Sequence, residues 1–133
     1  MIVYNKTNKI KIAGKVERAD TFFKRLFGLI PRKNLDIDEG LFIPRCSMIH
    51  TCFMRFPIDI VFLDGENRVV FIESFLGPWR FSKLVFKANS VLELKAGVAQ
   101  RKIGVGDSLQ FYHAKEGSNL LPESIWAGNA RQS

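Results

Sequence analysis

Between residues 46 and 64 the chain gathers most of its chemically capable side chains: Cys46, His50, Cys52, Arg55, Asp59 and Asp64. A zinc site built from Cys46, His50 and Cys52 would need three or four ligands, with donor atoms about 2.0–2.3 Å from the ion. In an extended segment Cys46 and His50 stand roughly 13 Å apart, too far to share a metal without a sharp turn. His50 and Cys52 point the same way but give two ligands, and the distant His113 would have to complete the set. A nucleophilic Cys–His pair meets the same obstacle, because sulfur and imidazole must lie within hydrogen-bond reach. No glycine-rich oxyanion loop is near. The plain readings are small buried cysteines and a hydrogen-bonded interior histidine. No metal and no cofactor are expected.

The third chemistry is binding of a polar or anionic ligand around His50, Arg55 and Asp59. Asp59 lies inside the apolar string Ile58 to Leu63, with Ile58, Ile60 and Phe62 on one face and Asp59, Val61 and Leu63 on the other. An unpaired carboxylate there is costly, so a partner is implied. Arg55 is the nearest candidate, although Pro57 bends the path between them. A buried Arg55–Asp59 bridge could simply fix the fold. In the functional version Trp79 and Arg80 add an aromatic face beside a guanidinium, carried on a loop, where binding groups usually sit. Asp64 and Asp107 read as turn-shaping residues.

These side chains must be positioned by strands. Ile2 to Tyr4 and Ile10 to Val16 flank a turn at Asn5–Asn8, and Leu41 to Ile43 is a short strand stopped by Pro44. Ile58 to Leu63 and Arg68 to Phe75 form a hairpin about Asp64-Gly65-Glu66-Asn67, and Ser90 to Leu94 and Ser108 to His113 follow. Asp20 can cap a short helix whose Phe22, Phe23, Leu26, Phe27 and Ile30 share one face, with Gly28 near its end. Ala96 to Ile103 can make one or two helical turns. About seven strands at short spacing predict a mainly β fold, a β-sandwich or small barrel with one or two short helices. Residues 1–113 read as a single β-rich domain and residues 114–133 as a C-terminal tail, mobile or docked on the body.

The chain has 133 residues, 47% of them apolar and 25% charged, enough for one core and incompatible with general disorder. The twelve Phe residues are mainly core. No apolar run approaches the ~20 residues that span a bilayer, and Met1 to Lys15 has no signal-peptide core. A cytoplasmic protein with no membrane partner is expected, its two cysteines thiols rather than a structural disulfide. The net charge of +7 falls within residues 1–34, which hold nine Lys or Arg against Glu17 and Asp20; residues 35–133 are neutral. Lys9, Lys11 and Lys15 alternate with Ile10, Ile12 and Val16, so they line the outer face of a strand, where lysines block edge pairing. The functional version is a nucleic-acid or other polyanion surface made of Lys9, Lys11, Lys15, Lys24 and Arg25.

Gly28-Leu29-Ile30-Pro31-Arg32, Asp38-Glu39-Gly40-Leu41 and Cys46-Ser-Met-Ile-His50-Thr51 running into Met54-Arg55-Phe56-Pro57-Ile58-Asp59 form an ordered series. Pro78-Trp79-Arg80, Val91-Leu92-Glu93-Leu94 with Ala96-Gly97, and Ile103-Gly104-Val105-Gly106-Asp107 continue it. The series resembles the domain-of-unknown-function family numbered 192, over roughly residues 13–113. The resemblance implies a small, mostly β domain without an established activity, and carries over Cys46, His50, Arg55 and Asp59. Cys52 stands where members usually have an aromatic or small residue, which weakens the three-ligand metal reading further. Some relatives are exported with a signal peptide; none is read here.

Three functions fit these residues. The first is a non-catalytic β domain binding a small polar or anionic ligand through His50, Arg55, Asp59, Trp79, Arg80 and Cys46. The alternatives are a polyanion-binding protein and a hydrolytic or metal-dependent enzyme using Cys46, His50 and Asp59.

Overall fold

The computed structural model describes residues 1–21 and 32–113. The expected helix over Phe22 to Ile30, with Lys24 and Arg25, and the tail from residue 114 lie outside the described residues. The described chain forms β1 (Ile2–Asn5), β2 (Ile10–Ala13), β3 (Lys15–Arg18), β4 (Glu39–Pro44), β5 (Ile58–Leu63), β6 (Val69–Leu76), β7 (Ser90–Lys95), α1 (Val98–Lys102) and β8 (Leu109–Tyr112). Three strands pair in the order β2-β1-β8 and five in the order β3-β4-β7-β5-β6. The fold is mainly β, as expected, and neither sheet closes into a barrel. No helix among the described residues is long and apolar enough to cross a membrane.

One expected strand is two. Ile10 to Val16 breaks at Gly14, whose N–H donates to the Asp38 carbonyl at 3.1 Å and to its Oδ1 at 2.7 Å, while the Lys15 N–H takes the same carbonyl at 2.8 Å. These bonds turn the chain out of the first sheet, so β3 runs parallel to β4 in the second. Lys9, Lys11 and Lys15 therefore do not share one strand face. Lys9 sits in the turn with φ 61°, and Lys11 Nζ approaches the Asp38 carboxylate at 3.4 Å.

The five-stranded sheet is covered on both sides. One face packs Val61, Leu63, Val69, Leu92 and Leu94 against Val3, Ile12, Ala13 and Leu109 of the smaller sheet and against Val98 and Ala99 of α1. The other packs Leu41, Ile43, Ile58, Ile60, Phe62 and Val91 against Ala19, Leu35, Ile49 and Met54. This is why Ile58 to Leu63 is apolar at nearly every position: β5 is buried throughout. Each large side chain so enclosed contributes about 1.5–3 kcal/mol. Segments 45–57 and 77–89 connect these strands.

Candidate functional site

The two connecting segments are stitched together through Thr51. Its N–H donates to the Arg80 carbonyl at 2.8 Å, and its carbonyl accepts from the Trp79 N–H at 3.0 Å. Its hydroxyl donates to the Gly77 carbonyl at 2.6 Å and accepts from the Arg80 N–H at 2.9 Å. The seam continues on either side. His50 bridges Phe81, the Ser82 N–H donates to the Ile49 carbonyl at 2.9 Å, and the Val85 N–H donates to the Ser47 carbonyl at 3.0 Å. Buried irregular backbone must satisfy its polar groups, and here each segment is the other's partner.

What the seam presents is aromatic and basic. The Phe53 and Trp79 rings lie 4.5 Å apart, tilted by 56°, and remain 65% and 62% exposed. Both residues have left-handed backbone, φ 67° and 62°, which bulky side chains adopt only when their surroundings impose it. Arg80 follows Trp79, and Arg55 follows Phe53 by two; both are exposed and neither enters an ion pair among the described residues. His50 is half-buried, its ring 6.3 Å from that of Phe81 and its Nδ1 accepting the Cys52 N–H at 3.2 Å. His50, Trp79 and Arg80 thus come together, with Arg55 on the same segment as His50.

Asp59 is elsewhere. The expected Arg55–Asp59 bridge is not formed: Arg55 faces solvent, and the fully buried Asp59 carboxylate is occupied by backbone donors. Its Oδ1 accepts the Phe75 N–H at 2.9 Å, and its Oδ2 accepts the Gly97 and Ala99 N–H groups at 2.9 and 3.0 Å. The register explains this. Ile58 faces Leu76 and Ile60 faces Glu73, so Ser74 and Phe75 oppose Asp59 alone in a bulge, and the carboxylate takes the N–H that the ladder leaves free. Its other oxygen caps the start of α1. Asp59 makes no hydrogen bond to Cys46 or His50. The Cys46 thiol donates to the Met48 carbonyl at 3.1 Å. Among the described residues no three His, Cys, Asp or Glu side chains cluster at metal-ligand spacing. His113 lies in a polar concavity of about 370 Å³ with Arg18, Arg45, Asn67, Asn89 and Ser90, which His50 does not line.

The family model DUF192, described as Uncharacterized ACR, matches residues 3–111. The chain belongs to that family. Among its relatives, a UPF0127 protein of Pyrococcus abyssi is 36% identical over 114 residues, covering 83% of this chain and 97% of the relative. A UPF0127 protein of Thermococcus sibiricus is 31% identical over 133 residues, covering 96% of this chain and 85% of the relative. A crystal structure of a protein of unknown function from Novosphingobium aromaticivorans shares the fold, with a TM-score of 0.71 at 24% identity over 83% of this chain and 82% of that one.

Two features of this DUF192 chain escaped the sequence reading. Segments 45–57 and 77–89 hold Arg45, Arg55, Arg80, Lys83 and Lys87 and no Asp or Glu, a local charge of +5. The neutral average over residues 35–133 conceals it, and counting charge per connecting segment would have found it. The second is Glu93, 5% exposed on β7 between Leu41 of β4 and Ile60 of β5. No hydrogen bond or ion pair of its carboxyl is formed among the described residues, and burial pushes its pKa up to about 8. Alternation places it on a covered face, but an alternating strand ordinarily turns its charged residues outward, so no signal marked it.

Proposed function

We propose that this DUF192 chain is a non-catalytic binding domain for a small anionic ligand, held on the stitched loop pair. Arg55 and Arg80 supply the charge and donor forks that match carboxylate or phosphate, Trp79 supplies a ring face, and His50 adds an edge beside Phe81. The supporting observation is the seam itself: Thr51, fully buried, locks exposed Trp79 and Arg80 beside His50 on a rigid sheet. Asp59 serves indirectly, by holding Phe75 near the β6 end from which the second loop departs. The test is a thermal-shift and calorimetric screen with inorganic phosphate, glycerol phosphate and benzoate. A stabilising anion whose effect disappears in Arg80→Ala supports the reading; a stabiliser indifferent to both Arg80→Ala and Arg55→Ala, or none, sinks it.

A further inference from the structure

A small anion leaves most of the loop-pair surface unexplained. Met48, Phe53, Trp79, Phe81, Leu84 and Phe86 are all exposed there, Phe86 by 89%. Single exposed apolar side chains are ordinary, but six on two hydrogen-bonded segments mark an interaction face. Beside them stand Arg55, Arg80, Lys83 and Lys87, all exposed, with no carboxylate on either segment. The occupant must therefore be anionic and must also reward aliphatic contact. Single-stranded nucleic acid rewards ring faces, yet the Phe53 and Trp79 rings pack on each other at a tilt of 56°, and Met48 and Leu84 have no ring to stack. A bilayer interface suits all three kinds of side chain: rings at headgroup level, aliphatic groups at the acyl boundary, and basic groups against anionic lipid. The lack of a ~20-residue apolar run bears on a membrane-crossing helix, not on a face that lies in the headgroup layer.

We propose that the loop pair is a lipid-docking face, seated on the anionic headgroups of a bilayer, with Phe86 and Leu84 entering the acyl boundary. This rests on the anion-binding reading of the same loops and names its ligand as a headgroup phosphate.

The test is co-sedimentation of the full chain with vesicles of phosphatidylcholine alone and of phosphatidylcholine mixed with phosphatidylserine, alongside calorimetric titration with soluble glycerol phosphate. Binding is expected to the mixed vesicles only, to weaken with salt, and to drop about fivefold in Arg80→Ala. The double variant Leu84→Ser with Phe86→Ser removes only exposed side chains, so it keeps the fold and its circular dichroism. It is expected to lose about tenfold or more in vesicle partition while its glycerol phosphate titration is unchanged. Arg80-dependent binding of glycerol phosphate without vesicle binding overturns the bilayer and leaves the small-anion reading standing. Failure of both ligands overturns both. Vesicle binding unaffected by the double variant, or salt-sensitive binding of single-stranded RNA in place of vesicles, also overturns the docking face.

Discussion

Thr51 and Arg80 are joined in opposite directions: the Thr51 N–H donates to the Arg80 carbonyl at 2.8 Å, and the Arg80 N–H donates to the Thr51 hydroxyl at 2.9 Å. The first survives any substitution at position 51 except proline, whereas the second and the bond to the Gly77 carbonyl belong to the hydroxyl. Thr51→Val keeps the shape and leaves both part-buried partners without the fully buried hydroxyl, at a cost of about 1–3 kcal/mol. Thr51→Ser keeps both bonds and loses one methyl, costing about 1 kcal/mol. Urea unfolding of the two variants gives the order, and anion affinity should fall with Val but not with Ser. Equal stability of the two would mean that the hydroxyl does not hold the seam.

Asp59 and Arg55 separate a cap from an ion pair. If the carboxylate stabilises the bulge and α1, Asp59→Ala leaves three backbone N–H groups without an acceptor and costs about 3 kcal/mol or more. Asp59→Asn costs nearly as much, because its NH₂ would face donors. Arg55→Ala, a surface change, stays within about 0.5 kcal/mol of the parent. Chemical denaturation of the three variants checks this. A large loss from Arg55→Ala would restore the bridge.

The basic N-terminal third makes a different prediction. Lys11 is engaged with Asp38 and Lys9 lies in a turn, so replacing Lys9, Lys11 and Lys15 by Gln should leave anion affinity unchanged at low salt. The same number of neutralisations at Arg55, Arg80 and Lys83 should abolish it. Salt-sensitive nucleic-acid binding that follows the N-terminal lysines instead would favour the polyanion reading.

How far the sequence could be read follows from the range of the forces concerned. Strands such as Ile58 to Leu63 and their faces were legible because a two-residue period is a local signal. Asp59 was legible as buried and in need of a partner. Its partners were not, since the N–H groups of Phe75, Gly97 and Ala99 become available only through a bulge and a helix start 16 to 40 residues away. The division of Ile10 to Val16 was hidden for the same reason, because Asp38 reaches Gly14 from 24 residues on. The meeting of His50 with Trp79 and Arg80 depends on Thr51, a residue with no charge or ring to draw the eye.

Glu93 gives the protein a pH dependence with a definite sign. Its same-face neighbours in register are Leu41 and Ile60, and beyond Ile60 stands Glu73, whose carboxylate accepts the Lys83 N–H at 2.9 Å. No cation is bonded to Glu93 among the described residues, and desolvation raises its pKa from 4.5 to about 8. Below the lower value the carboxyl is protonated whether the chain is folded or not, and it contributes no slope. Between the two values the unfolded chain ionises while the folded chain keeps its proton, so stability falls as pH rises, by about 1.4 kcal/mol per unit and at most roughly 5 kcal/mol in total. Above the folded value the curve flattens. Glu93→Gln does not titrate, so it should match the parent near the acid end and exceed it in stability by a few kcal/mol at alkaline pH. Denaturant midpoints measured across this range for both proteins decide the matter. A parent whose stability rises with pH through this window, or a Gln variant that keeps the parent's decline, would show that the buried carboxyl is held ionised by a partner.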